Sequence, residues 1–114
     1  MDKSAIKKEY KESKRPMGVY KISNNQNNTI FIGYSTDLQA RFNRHKAELK
    51  FGGHRNKELQ NMWNALGETA FTFKVLDELD QKENNQTNPE KELQVLAEMW
   101  ISKLEKENYK IVTL

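Results

Sequence analysis

Four side chains in this sequence are of types that handle phosphate groups and protons: Tyr20, Arg41, His45 and His54. Arg41 and His45 stand four apart, one helical turn, so both can face the same neighbour. A guanidinium so placed can hold a phosphate through two parallel hydrogen bonds. The imidazole can orient water or relay a proton near neutral pH. The phenol of Tyr20 can position or deprotonate a water. His54 lies in "GGHRNK", a glycine-flanked run with basic neighbours suited to a backbone phosphate. Lys21, Arg44, Lys46, Arg55 and Lys57 are the candidate nucleic-acid contacts around these four. Taken singly, each has an ordinary explanation: a strand aromatic, a snorkelling helix-edge arginine, a satisfied core histidine, a loop histidine. Residue types alone lead no further than a basic phosphate-binding domain.

The chain has 114 residues, enough for one domain with a modest core. Its 36% hydrophobic and 31% charged content predicts a small, surface-rich soluble protein. No apolar run approaches a membrane span, and "MDKSAIKKEYKESKRP" has no apolar secretory core, so a cytoplasmic protein is expected. With no cysteine, disulfides, thiolate catalysis and Cys-based zinc sites are excluded. Charge is uneven. Residues 1–66 hold 13 Lys and Arg against 6 Asp and Glu, and residues 67–114 hold 6 against 10. A basic front half suggests a face that attracts polyanions.

The elements that must position these groups follow from periodicity. Residues 3–14 can form a short basic helix stopped at Arg15-Pro16, making 1–16 a basic arm. "GVYKIS" and "TIFIGYS" alternate as strands, with "NNQNN" as a turn of about five residues tolerant of left-handed conformations. Thr36 or Asp37 can cap a helix striped by Leu38, Phe42, His45 and Leu49 and ended by Gly52-Gly53. Asn56 can cap a second, striped by Leu59, Met62, Trp63 and Leu66. "AFTFKVL" is a third strand, residues 77–88 an acidic, Asn-rich loop, and Asn88-Pro89 opens a last helix with Leu93, Leu96, Ala97, Trp100, Ile101 and Leu104 inward. Trp63 and Trp100 are expected in the core. The order α-β-β-α-α-β-α predicts an α+β domain over 17–114 with a small three-stranded antiparallel sheet flanked by helices. The tail "YKIVTL" is short enough to pair as an edge.

"GVY", "FIG", "DLQARFNRH", a Gly-His loop, "FTFKVLDEL" and a helix ending "EMWISKL", in that order, resemble the GIY-YIG nuclease family, closest to the catalytic domains of phage intron-type homing endonucleases. The resemblance implies metal-assisted hydrolysis of DNA phosphodiesters. It makes Tyr20 the water-activating group, Gly33 the glycine of close backbone approach, Arg41 the phosphate-stabilising arginine, and His45 and His54 the paired histidines. It also implies one Mg²⁺ or Mn²⁺ ion and DNA as partner, with no membrane.

Three positions depart from the family pattern. Phe31 stands where a second tyrosine is usual, and Tyr34 is on the opposite strand face. Lys110 stands where the homing branch has Asn. Ala97 stands where the metal-holding Glu is expected, three residues before Trp100, and a methyl group offers no oxygen. Glu98 is turned about 100° from that position and Glu90 is roughly 10 Å away along the axis, so neither is a ready substitute. An impaired endonuclease is therefore expected, the alternative being an inactive nucleic-acid-binding module on the same fold. A scaffold for an acidic protein partner is the remote third reading.

Overall fold

A computed structural model describes residues 16–79 and 88–114. The helix expected over 3–14 and most of the acidic loop lie outside the described residues. The elements are β1 (Gly18–Asn24), β2 (Thr29–Ser35), α1 (Leu38–Phe51), α2 (Lys57–Leu66), a 3-10 turn (Glu68–Ala70), β3 (Phe71–Glu78), α3 (Pro89–Lys106) and β4 (Lys110–Thr113).

Local chemistry sets most of these boundaries. Between the two, Asp37 rather than Thr36 caps α1, its carboxylate accepting the Ala40 N–H at 3.1 Å. Asn56 accepts the Leu59 N–H at 3.0 Å, and Asn88 accepts the Glu90 N–H at 3.0 Å with Pro89 following. α1 ends at Gly52, whose φ of +79° lets its N–H reach back to the carbonyls of Glu48 and Leu49. The β1–β2 turn differs from expectation. It has four residues between the strands, and its asparagines keep negative φ. Their side chains close it instead: Asn24 Oδ1 accepts the Gln26 N–H at 2.7 Å and Asn27 Oδ1 the Thr29 N–H at 2.9 Å.

The expected three-stranded antiparallel sheet is corrected to a four-stranded mixed sheet in the order β3-β1-β2-β4. β1 pairs antiparallel with both β2 and β3, while β4 runs parallel to β2 with Ile30 beside Ile111 and Phe31 beside Val112. The short tail does become an edge. Its direction is set by the chain leaving α3 through Asn108, at φ +71°, and Lys110 donating its N–H to Asn28 at the start of β2. Ile111 then joins one core and Val112 the other.

The sheet separates two apolar layers. On one face Tyr20, Ile22, Phe31 and Phe71 pack with Leu38, Leu49, Leu59 and Trp63 from α1 and α2. On the other, Val19, Ile30 and Ile32 pack with Ala97 and Leu104 of α3. Trp63 is core as expected. Trp100 is only half-buried, its indole N–H donating to Asp77 at 3.2 Å and so tying α3 to β3.

Gly33 is dictated by the residue across from it. Tyr20 and Gly33 are register partners, and the phenol lies over the glycine so closely that an added Cβ would sit 2.5 Å from Tyr20 Oη and 2.6 Å from Cζ. Gly33→Ala is therefore expected to destabilise the domain by about 1–3 kcal/mol. In a Tyr20→Ala background the same change should cost far less. Urea denaturation of the four members of this cycle measures the coupling directly.

Candidate active site

α1 brings Arg41 and His45 to the sheet, and the Gly52-Gly53 turn folds His54 back against them. The result is a buried hydrogen-bonded row. Tyr20 Oη is 2.6 Å from His45 Nε2, and His45 Nδ1 is 2.8 Å from His54 Nε2. The backbone N–H of Asn56 donates to His54 Nδ1 at 2.9 Å. His54 lies in the glycine-flanked loop, as expected, and is buried there at 7% exposure. Its burial follows from Gln60, which accepts the His54 backbone N–H at 2.9 Å while donating to the Leu49 carbonyl at 3.1 Å.

The row has a direction. A backbone N–H can only donate, so His54 Nδ1 carries no proton and the neutral ring carries it on Nε2. His54 therefore donates to His45 Nδ1, and His45 in turn donates from Nε2 to the Tyr20 oxygen. The phenol's own proton is left free to point elsewhere. Both imidazoles are neutral at pH 7. Burial, reinforced by His54 and Arg41, pulls His45 down to about 4, and burial also lowers His54. Burial pushes Tyr20 up to about 12, with Arg41 pulling partly the other way.

The histidines form the inner wall of a pocket whose mouth carries Arg41, Arg44 and Arg55, together with Glu48 and Asn56. Arg44 is paired with Glu48 at 3.2 Å, an exposed pair that contributes little stability. The other expected contacts are spread out. Lys57 is exposed at the start of α2. Lys46 lies over the Phe73 ring, 5.2 Å from its centroid. Lys21 alternates with Tyr20 and so lies on the α3 face of the sheet, away from the arginines. Lys110 is exposed and paired with Glu58 at 3.1 Å.

Two places are candidates for a metal ion. His45, Glu48 and His54 offer ligand atoms within 4.8 Å of one another, spacing compatible with a metal site. The donor chemistry opposes it. Coordination through His54 Nε2 requires a proton on Nδ1, where the Asn56 N–H already points. The second place is Ala97, 5% exposed among Val19, Ile30 and Ile32. The pocket beside it is lined by Gly33, Tyr34, Gln94 and Glu98, among others, and Glu98 is the one carboxylate there among the described residues. Glu98 is exposed at the rim, while Glu90 is exposed in the first turn of α3 and does not line this pocket. A hard divalent cation needs several oxygens, so the residues present do not fit one. Phe31 is fully buried on the opposite face, and Tyr34 lines the Ala97 pocket, which keeps the two apart as expected.

Gln60, Glu48 and the Asn56 N–H were not singled out from sequence. Gln60 carried a usable signal: it is a polar residue three positions before Trp63 on a helix face that is otherwise apolar. Asn56 was read for its side chain alone.

His45 also makes stability depend on pH. Its folded pKa is below the unfolded value of 6.5, so the unfolded chain binds more protons between about 4 and 6.5. Stability is accordingly full above that window and falls as the pH drops through it, by on the order of 3 kcal/mol. Denaturant melts at pH 4.5 and 7.5 should show this loss for the wild-type chain and a smaller one for His45→Gln.

Residues 16–109 match the family of the GIY-YIG catalytic domain. The chain is 34% identical over 62 residues to Intron-associated endonuclease 1 of Enterobacteria phage T4, covering 54% of this chain and 25% of that protein. It thus spans about a quarter of that relative's length. The structure resembles the catalytic domain of homing endonuclease I-TevI, with a TM-score of 0.66 and 26% identity over 84% of this chain and 97% of that one. A point mutant of the I-TevI catalytic domain gives 0.65 and 26%, over 83% and 90%. With the family matched across most of its length, and with a homing-endonuclease catalytic domain as its structural counterpart, the chain belongs to the GIY-YIG nuclease family.

Proposed function

We propose that residues 17–114 form a nuclease domain that grips the DNA backbone and hydrolyses phosphodiesters, slowly in the chain as it stands. The observation that supports this above all is the directed Tyr20–His45–His54 row behind an arginine-lined pocket, in a member of this family. Arg41 and its neighbours hold the phosphate and offset its charge. Tyr20 in its phenolate form takes a proton from the attacking water as that oxygen bonds to phosphorus and the P–O ester bond breaks, the departing alkoxide taking its proton from solvent. The His45 N–H and Arg41 stabilise the negative phenol oxygen. The histidine row acts as a hydrogen-bond donor to Tyr20 and not as the base that takes its proton, because Asn56 fixes the opposite direction.

Two features explain why cleavage is slow. Ala97 supplies no oxygen for Mg²⁺ or Mn²⁺, which would act as a Lewis acid in an intact family site. Tyr20 is 1% exposed and lines neither the arginine pocket nor the Ala97 pocket, so substrate reaches the phenol only when the packing around it opens. The same two features favour the second reading, a DNA-binding domain without cleavage.

Supercoiled plasmid nicking tests the proposal. The wild-type chain should nick weakly, and Arg41→Ala should abolish nicking. Ala97→Glu should raise the rate roughly 100-fold or more with Mg²⁺ or Mn²⁺, an effect removed by EDTA. Because Tyr20 titrates near 12, the rate should climb about tenfold per pH unit from 6 to 9. If both the wild-type chain and Ala97→Glu are folded and bind DNA yet never nick it, the binding reading stands. In that case affinity should still fall steeply with salt as counterions are released.

A further inference from the structure

Phe51 is the most exposed large apolar side chain among the described residues, at 89%. It ends α1, and the two glycines after it have nothing within 4 Å of where a Cβ would stand, so the ring projects from an open tip. A lone exposed apolar residue ordinarily needs no explanation. Phe51 differs in its alignment. Arg41, Arg44, Glu48 and Phe51 follow one another at i, i+3, i+7 and i+10, a single stripe along the solvent side of α1. The first three line the arginine pocket, so the ring continues the wall that ends in cations. Arg55, on the loop that follows, lines the pocket too, and exposed Lys57 comes just after it.

We propose that Phe51 stacks on a nucleic-acid base while Arg41 holds a backbone phosphate; this rests on the DNA-binding reading above. Ten residues of helix separate the two, about 15 Å at 1.5 Å per residue. Nucleotides along one strand advance by about 3.4 Å, which places the stacked base about four nucleotides from the phosphate at Arg41. Cations ordering a backbone beside an exposed aromatic ring is the arrangement in which base faces are captured, either as a wedge between base pairs or on an unpaired base. The ligand chemistry is the same in both cases. An apolar protein surface would gain nothing from the cations that share the stripe.

The experiment compares wild-type chain, Phe51→Ala, Phe51→Leu and Phe51→Trp on three oligonucleotide forms: intact duplex, duplex with one bulged nucleotide, and single strand. Loss of a stacked base lowers affinity roughly 5- to 150-fold. Phe51→Ala should show that loss with an unchanged slope of affinity against salt, because no charge is removed; Phe51→Leu should show it where an unpaired base is stacked and should largely keep its affinity where the residue is a wedge. Phe51→Trp should bind at least as tightly as the wild-type chain. A 2-aminopurine moved along the strand should change its fluorescence at one position on binding the wild-type chain, and not on binding Phe51→Ala. Strongest binding to the bulged duplex identifies the unpaired base, and equal binding to the intact duplex identifies the wedge. Wild-type binding matched by Phe51→Ala overturns the stacking role and leaves the DNA-binding reading standing. Dimerisation of the wild-type chain abolished by Phe51→Ala in sedimentation also overturns it, by giving the ring a protein contact. If the folded wild-type chain binds none of the three forms, the DNA-binding reading falls and the stacking role with it.

Discussion

The backbone N–H of Asn56 decides more of this structure than any single side chain. By donating to His54 Nδ1 it fixes one tautomer, which fixes the next and leaves the Tyr20 oxygen as an acceptor. Both imidazoles are thereby buried without charge and with every ring nitrogen bonded, which is the condition for placing them under a sheet at all. The parts of the fold around the row serve this geometry. Asn56 also caps α2, so the helix start and the histidine tautomer are set by one residue. Gln60 anchors the His54 backbone to the end of α1. Gly33 leaves the space in which the Tyr20 ring lies flat enough to meet His45. Gly18 plays the matching part at the other edge of β1, where a Cβ would strike the Asp77 carbonyl at 2.0 Å.

Much of this was legible in the residues, and the rest was hidden for definable reasons. Strand alternation, the three caps at Asp37, Asn56 and Asn88, and the stop at Gly52 are local signals, and they fell where the sequence places them. That the two short strands pair across a turn was likewise readable, whereas the register that sets Tyr20 against Gly33 depends on a turn one residue shorter than expected. β4 was legible only as a tail that could form an edge. Four residues carry too little pattern to announce a strand, and its parallel direction depends on where α3 delivers the chain. The burial of His54 could not be read from "GGHRNK", because a distant glutamine on another element creates it. Lys21 is a candidate nucleic-acid contact next to Tyr20 in sequence, yet strand alternation sends neighbours to opposite faces and so separates the two in space.

The two sides of the sheet have diverged in character. The α1 side keeps its polar machinery, with tyrosine, two histidines and three arginines converging. The α3 side is apolar where a metal ligand is expected, with Ala97 set among Val19, Ile30, Ile32 and Leu104. Physical chemistry favours that outcome for stability. A carboxylate at a position this buried is costly unless a cation or several donors meet it, whereas a methyl group extends the existing core. Phe31 follows the same logic, since an aromatic ring without a hydroxyl needs no partner in the Tyr20 layer. At both positions the residues present favour the stability of the core.

The α1 helix shows how a domain this small keeps arginines, a buried histidine and a projecting ring in register. His45 is buried on one side of the helix while Arg41, Arg44, Glu48 and Phe51 run along its solvent side, so one rigid rod sets every spacing between them. The rod itself is fixed at both ends, by Asp37 at its start and by Gly52 at its finish. Buried His45 and Leu49 then prevent it from rotating, because any turn that moved the arginines would break the bond to Tyr20 or expose the core. In the proposed binding mode, a backbone phosphate at Arg41 would meet a surface whose other features stand at fixed distances, so the nucleic acid would conform to the helix more than the helix to it. Such a surface would favour strands that can bend, unstack or present an unpaired base, because the deformation cost is lowest there.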